Sequence, residues 1–217
     1  MKAELISYFG NDAMVANVAR VSYGKWKDGQ QCDEKDVRLI NYLAIHQHTS
    51  PFRHPQLQFR IECPIYVERQ LFKHQVGITT NSISGRYVDF STSYDVPQAG
   101  QWRKQSASSK QGSEGLVDDA RQQKALDKAM QVVALAEESY AEMLQMGICK
   151  EQARTILPLC LSTQFIWTGS LQAFIHLCQL RLKPDAQKET RELVSEMLDQ
   201  VKQSKAFEHS LKAFGLQ

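Results

Sequence analysis

Arg69-Gln70-Leu71-Phe72-Lys73-His74-Gln75 is followed, after three residues, by Thr79-Thr80-Asn81-Ser82-Ile83-Ser84-Gly85-Arg86-Tyr87. Pro64 suits the first turn of a helix, and the pattern from Ile65 to Gln75 carries that helix forward. Its end, Lys-His-Gln, is cationic. The loop that follows offers hydroxyls, an amide, a glycine for close backbone approach and an arginine. Those groups match what a phosphate or a uracil-like base requires, namely charge-assisted donors beside an adaptable backbone. A Ser/Thr-rich stretch with one arginine also fits an ordinary turn.

Upstream, Asp33 and Glu34 open a stretch with Val37, Ile40, Leu43, Ala44 and Gln47 at helical spacing. It stops at His48-Thr49-Ser50-Pro51. Leu57, Phe59, Ile61 and Cys63 alternate with Gln58, Arg60 and Glu62, the signature of a half-buried strand. Downstream, a polar insertion from Thr92 to Gly115 has the length of a mobile cover. Leu116 to Met146 is the longest helical pattern, about 45 Å if regular. Its broad stripe holds Ala129, Val133, Leu135, Ala136, Tyr140 and Leu144. Glu151 to Leu157 reads as a short helix, and Phe165 and Trp167 mark a strand. Ser170 is placed to cap a helix running to Leu182, and Pro184-Asp185 to start a final one. The expected fold class is α/β (α+β), a small mixed sheet with long helices in a single domain over residues 1–217. The long helix needs a partner surface, which packing between subunits would supply.

The chain has 217 residues, with 26 Lys plus Arg against 24 Asp plus Glu, for a formal charge of +2. That is too little to suggest a nucleic-acid surface, so any anion site is local. Apolar residues reach 42%, enough for a buried core. No stretch approaches the roughly 20 apolar residues of a membrane span. Met1-Lys2-Ala3-Glu4 lacks an apolar signal core, so a cytoplasmic protein without membrane partners is expected. Cys32, Cys63, Cys149, Cys160 and Cys178 include no Cys-x-x-Cys pair and read as idle thiols. His46, His48, His54 and His74 cluster in sequence, but no carboxylate or thiol spacing supports a metal, and none is expected. Gly-x-Gly-x-x-Gly, Walker, His-Glu-x-x-His and Gly-x-Ser-x-Gly patterns are absent. Arg154 and Arg181 border apolar residues, as snorkelling or phosphate-clamping arginines do.

Taken in order, these segments resemble the flavin-dependent thymidylate synthases. That family carries Arg-His-Arg, seven or eight residues, then Ser-x-Arg. Lys73-His74-Gln75 and Ser84-Gly85-Arg86 stand in its place. Ala19-Arg20-Val21-Ser22 is similar to the family's Ala-Arg-Val-Ser. His48-Thr49-Ser50-Pro51-Phe52-Arg53-His54 is similar to its His-x-Thr/Ser-Pro-Phe-Glu-His. Ala153-Arg154 with Leu157-Pro158, Phe165-Ile166-Trp167-Thr168 and Leu180-Arg181 complete the likeness, from about residue 16 to 190.

The resemblance implies transfer of a methylene from methylenetetrahydrofolate to carbon 5 of dUMP, then reduction by FAD that NADPH has reduced, without a cysteine nucleophile. It implies that Gln70, Lys73, Ser82, Ser84, Gly85, Arg86 and Arg154 hold dUMP, with Arg181 catalytic on the uracil. Ser50, Lys73, His74, Gln75, Asn81, Ser82, Ser170, Gln172 and His176 would contact FAD, and His48 would lie near the folate. A homotetramer with shared sites is implied. The chain departs from the family at Lys73 and Gln75, both arginine there, and at Ser82, acidic there. Ser170-Leu171-Gln172 replaces Asn-x-Arg, His176 replaces Asn, and Asp185 replaces His. An eroded flavin side beside a kept nucleotide side leaves two alternatives: a folate-dependent dUMP hydroxymethylase, or a catalytically silent nucleotide-binding homologue.

Overall fold

Six strands and eight α-helices form among the described residues, 1–29, 31–89 and 93–217, of a computed structural model. Two compact units group the chain. Unit 1 contains Met1, Glu62–Gln70 and Ser82–Gln164; unit 2 contains Lys2–Ile61, Leu71–Asn81 and Phe165–Gln217.

Most of the main sheet lies in unit 2. Its strands are β1 (Lys2–Phe9), β2 (Gln56–Pro64), β3 (Ile78–Ser82) and β6 (Ser162–Ser170), in the order β1-β2-β6-β3. The alternation expected around Leu57 to Cys63 is present: Leu57, Phe59, Ile61 and Cys63 are buried. Helices α1 (Asp12–Val21) and α2 (Glu34–Ile45) follow β1. Asp33 and Asp36 form a reciprocal capping box at the start of α2, and Arg20 and Lys27 pair with the buried Asp36. The edge strand β1 is met by α7 (Lys188–Ser204), where Gln200 Oε1 accepts from Leu5 N at 2.7 Å and its amide donates to Ala3 O at 2.8 Å. Edge backbone groups are thereby satisfied rather than left open for strange pairings.

One aromatic cluster sets the position of helix α6 (Leu171–Arg181). Phe174 on α6 stacks on Phe59 of β2 at 5.8 Å and meets the edge of Trp167 of β6 at 6.4 Å. All three rings are fully buried. Each aromatic truncation there would cost about 3–5 kcal/mol. The expected cap is found: Ser170 Oγ accepts from Ala173 N at 3.2 Å.

In unit 1, the insertion carries structure of its own. Strands β4 (Arg103–Gln105) and β5 (Ser113–Leu116) pair as an antiparallel hairpin. Thr92, where the insertion was expected to begin, lies outside the described residues. Helix α4 (Asp119–Gln145) starts after the hairpin, capped by Asp118, so it is about 40 Å long. Its buried Gln122 ties the insertion down, accepting from Gly100 N and Trp102 N and donating to Trp102 O and Val117 O. Val133, Ala136 and Tyr140 are buried as the stripe predicts, whereas Leu135 is 64% exposed. Helix α5 (Lys150–Ala153) continues into a 3-10 turn, Arg154–Ile156.

Leu116, expected to open the long helix, ends β5 instead, and other boundaries also differ from expectation. Helix α3 (Ile65–Leu71) stops four residues short of Gln75. Gly77 adopts the left-handed region at φ +73°, and the β-branched run Ile78-Thr79-Thr80 leaves in β3, so Asn81 and Ser82 lie on a strand and not in a loop. At the other end, Pro184 precedes α7 rather than opening it. Lys205, at φ 58°, ends α7, and α8 (Glu208–Ala213) follows. The buried Asp12 carboxylate accepts from His209 N and Ser210 N, anchoring that last helix.

Candidate functional site

In unit 2, the turn after α3 and the length of α6 enclose a cavity of about 740 Å³. Seven residues expected at the site line it: Lys73, His74, Gln75, Ser170, Gln172, His176 and Arg181. The first three come from the turn that Gly77 makes possible, where Ser170 N also donates to Gly77 O at 3.0 Å. A side chain on Gly77 would bring its Cβ to 3.0 Å from Ser170 Oγ. The remaining four come from α6 and its cap. Ser50, Asn81 and His48 do not line this cavity. His48 instead sets its ring edge-on to Tyr42 at 5.9 Å.

Arg181, in the last turn of α6, donates from Nε to His74 Nε2 at 2.9 Å. Burial, then the Arg181 charge, then His176 push the His74 imidazole down to about 4. The His176 ring lies 6.1 Å away, edge-on. Gln172 Oε1 is buried and has no hydrogen-bond partner among the described residues. Arg53 also lines the cavity, its guanidinium donating to Thr49 Oγ1 at 3.2 Å. Sequence reasoning did not assign Arg53, although its place in the His48–His54 segment, where the family has Glu, was a usable signal. The cavity therefore presents Arg53, Lys73 and Arg181 and no carboxylate. Such a space suits an anion joined to a flat, hydrogen-bonding ring.

Unit 1 holds the rest of the expected nucleotide set. Ser84 closes a turn in which Arg86 N donates to Ser84 Oγ at 3.3 Å and Tyr87 N to Ser84 O at 3.0 Å, around a buried Gly85. Arg86 is exposed, and its Nε pairs with Glu151 Oε2 at 2.8 Å. Arg154 is half-buried at the end of α5. Gln70 lies on α3, two residues after Glu68. Ser82, acidic in the family, instead donates from Oγ to Glu68 Oε1 at 3.1 Å. Burial raises the Glu68 carboxyl above its ordinary value. A carboxyl thus reaches Ser82 from α3, a contact that no local pattern announced.

The cysteines are free, and burial raises Cys32 to about 11 and Cys63 to about 12. Cys160 and Cys178 are raised by burial as well. Such thiols stay protonated near neutral pH and are poor nucleophiles. No group of three or more His, Cys, Asp or Glu among the described residues is placed to hold a metal ion. No described helix is long and apolar enough to cross a membrane.

A family model described as "Thymidylate synthase complementing protein" matches residues 4–205. A flavin-dependent thymidylate synthase from Thermus thermophilus is 38% identical over 199 residues, covering 92% of this chain and 70% of that protein. One from Thermosipho africanus is 36% identical over 188 residues, covering 87% and 80%. Among solved structures, a UMP/dUMP methylase, PolB, from Streptomyces cacaoi bound with 5-Br dUMP matches with a TM-score of 0.85 at 26% identity. That likeness covers 99% of this chain and 94% of the other.

Proposed function

Because this chain belongs to the flavin-dependent thymidylate synthase family, we propose that it converts dUMP to dTMP in the cytoplasm. Methylenetetrahydrofolate supplies the carbon, and NADPH supplies the reducing power. FAD, when bound, supplies the hydride that finishes the methyl group. The observation that carries this reading is the cavity of unit 2, with three cations, no carboxylate and an orphaned buried acceptor.

The residues present fit FAD. Arg53 and Lys73 suit its pyrophosphate, and Gln172 Oε1 is an acceptor in need of a ring N–H. Gln75 cannot supply the charge of the family's arginine, and Arg53 brings one to the same cavity. Ser50, Asn81, Ser170 and His176 complete the flavin set by resemblance, with His48 near the folate.

On the nucleotide side, Arg86 and Arg154 hold the phosphate and sugar with Gln70, Ser84 and Gly85. Ser82 contributes together with Glu68. Arg181 addresses the uracil, where a guanidinium stabilises negative charge as carbon 5 becomes nucleophilic, and it does so without titrating. The raised thiols agree with chemistry that needs no enzyme sulfur. Homotetramer assembly, with sites shared between subunits, supplies a surface for the exposed Met130, Val132 and Leu135 of α4.

The test is to incubate the purified protein with dUMP, methylenetetrahydrofolate, FAD and NADPH and weigh the nucleotide product. A product with the mass of dTMP supports the proposal. One heavier by a single oxygen establishes the hydroxymethylase alternative, and unchanged dUMP rejects both. A parallel arm with UMP is warranted by the resemblance to the UMP/dUMP methylase. Titration of FAD by flavin fluorescence reports on the cavity itself: Arg53→Gln should weaken binding about tenfold.

A further inference from the structure

The contact between His74 and Arg181 has a fixed direction. A guanidinium has donors only, so His74 Nε2, 2.9 Å from Arg181 Nε, is the lone-pair nitrogen of the ring. The ring proton of the neutral imidazole is then on Nδ1. A second proton would set one cation against another in a cavity that Arg53 and Lys73 also line, with His176 facing the ring from α6. Burial and the Arg181 charge keep His74 neutral down to about pH 4.

We propose that His74 is a positioning residue: its Nε2 fixes the orientation of the Arg181 guanidinium, while its Nδ1–H is a standing donor to the occupant of the cavity. The inference rests on the proposed role of Arg181 at the pyrimidine ring. A ligand atom facing Nδ1 must accept a hydrogen bond, as a carbonyl or an unprotonated ring nitrogen does. The same ring is not an imidazolium acid near neutral pH, because its one proton belongs to the neutral imidazole, a far weaker acid. The contact from His74 orients the Arg181 guanidinium through a neutral acceptor and adds no negative charge of its own. A carboxylate in the place of His74 would hold the arginine as firmly and blunt its effect on the substrate.

Two variants separate orientation from bulk. His74→Leu fills space and accepts nothing; His74→Gln retains an acceptor. In the flavin-loaded enzyme, His74→Leu should lower kcat about 10- to 100-fold, with the KM for dUMP moving less than about threefold. His74→Gln should recover most of that loss. Equal losses in the two variants, or a loss confined to KM, would overturn the proposal. A readout independent of turnover is nitrogen NMR of histidine-labelled protein without nucleotide or flavin. His74 should show a protonated Nδ1 and a bare Nε2 from pH 7 to pH 5. An imidazolium at pH 6, or a proton on Nε2, would overturn the arrangement even if the variants failed to fold. Should the wild type make no dTMP while His74 shows this tautomer, the proposed reaction fails and the geometry stands.

Discussion

Arg181 and Arg86 are both guanidiniums assigned to the nucleotide, yet their surroundings differ in kind. In unit 2, Arg181 is half-buried and held by the neutral ring of His74. In unit 1, Arg86 is 55% exposed and paired with the Glu151 carboxylate. The first contact orients a charge through a neutral acceptor. The second balances a charge until an anion competes for it. A group that must act on a reacting ring benefits from the first, and a group that must capture and release a phosphate tolerates the second.

The comparison breaks first at Arg181. Arg181→Ala should lower kcat about 10²- to 10³-fold, with an unchanged circular dichroism spectrum; a loss of only a few-fold would leave Arg181 no different from a binding arginine. Arg154→Ala should weaken dUMP about 10- to 100-fold by calorimetry, with a smaller effect on single-turnover rates. At the mild end, Glu151→Gln should tighten dUMP about two- to fivefold, most clearly at low salt, because it frees Arg86 from an exposed pair. Weaker binding in Glu151→Gln would mean that the carboxylate holds Arg86 in its working pose. The pH dependence of folding sharpens the contrast. The folded His74 has its imidazole lowered from 6.5 to about 4. Between those values the unfolded chain binds the proton that the folded chain refuses, so His74 erodes stability as pH falls through that window. His74→Gln should remove this contribution, visible as a flatter melting temperature between pH 6.5 and pH 4.

Much of the scaffold was legible because its causes are local. The Asp33 cap, the alternation of β2 and the Ser170 cap each depend on residues a few positions apart, and each forms where the pattern put it. The end of α3 was not legible, because the run to Gln75 has adequate helical spacing and the deciding turn uses a left-handed Gly77. The β4–β5 hairpin was missed for another reason. Its strands are polar and exposed, so no apolar alternation marks them, and Gln122 anchors the region from a different element. The site followed the same division. Seven cavity residues were reached through the family resemblance, three of them in the motif itself, whereas the His74–Arg181 bond spans 107 positions and belongs to the tertiary fold. Arg53 sat inside a recognised segment, but its meaning as a cavity cation depends on where Lys73 and Gln75 end up.

Ser170 stands where the family has Asn, and both are favoured helix caps. Its hydroxyl starts α6 and its backbone N–H holds Gly77, while Phe174 packs the helix among buried rings. Arg181, about 16 Å farther along the axis, is therefore carried by a helix whose formation uses only protein groups. Neither the flavin nor the nucleotide is needed to build the support for the other.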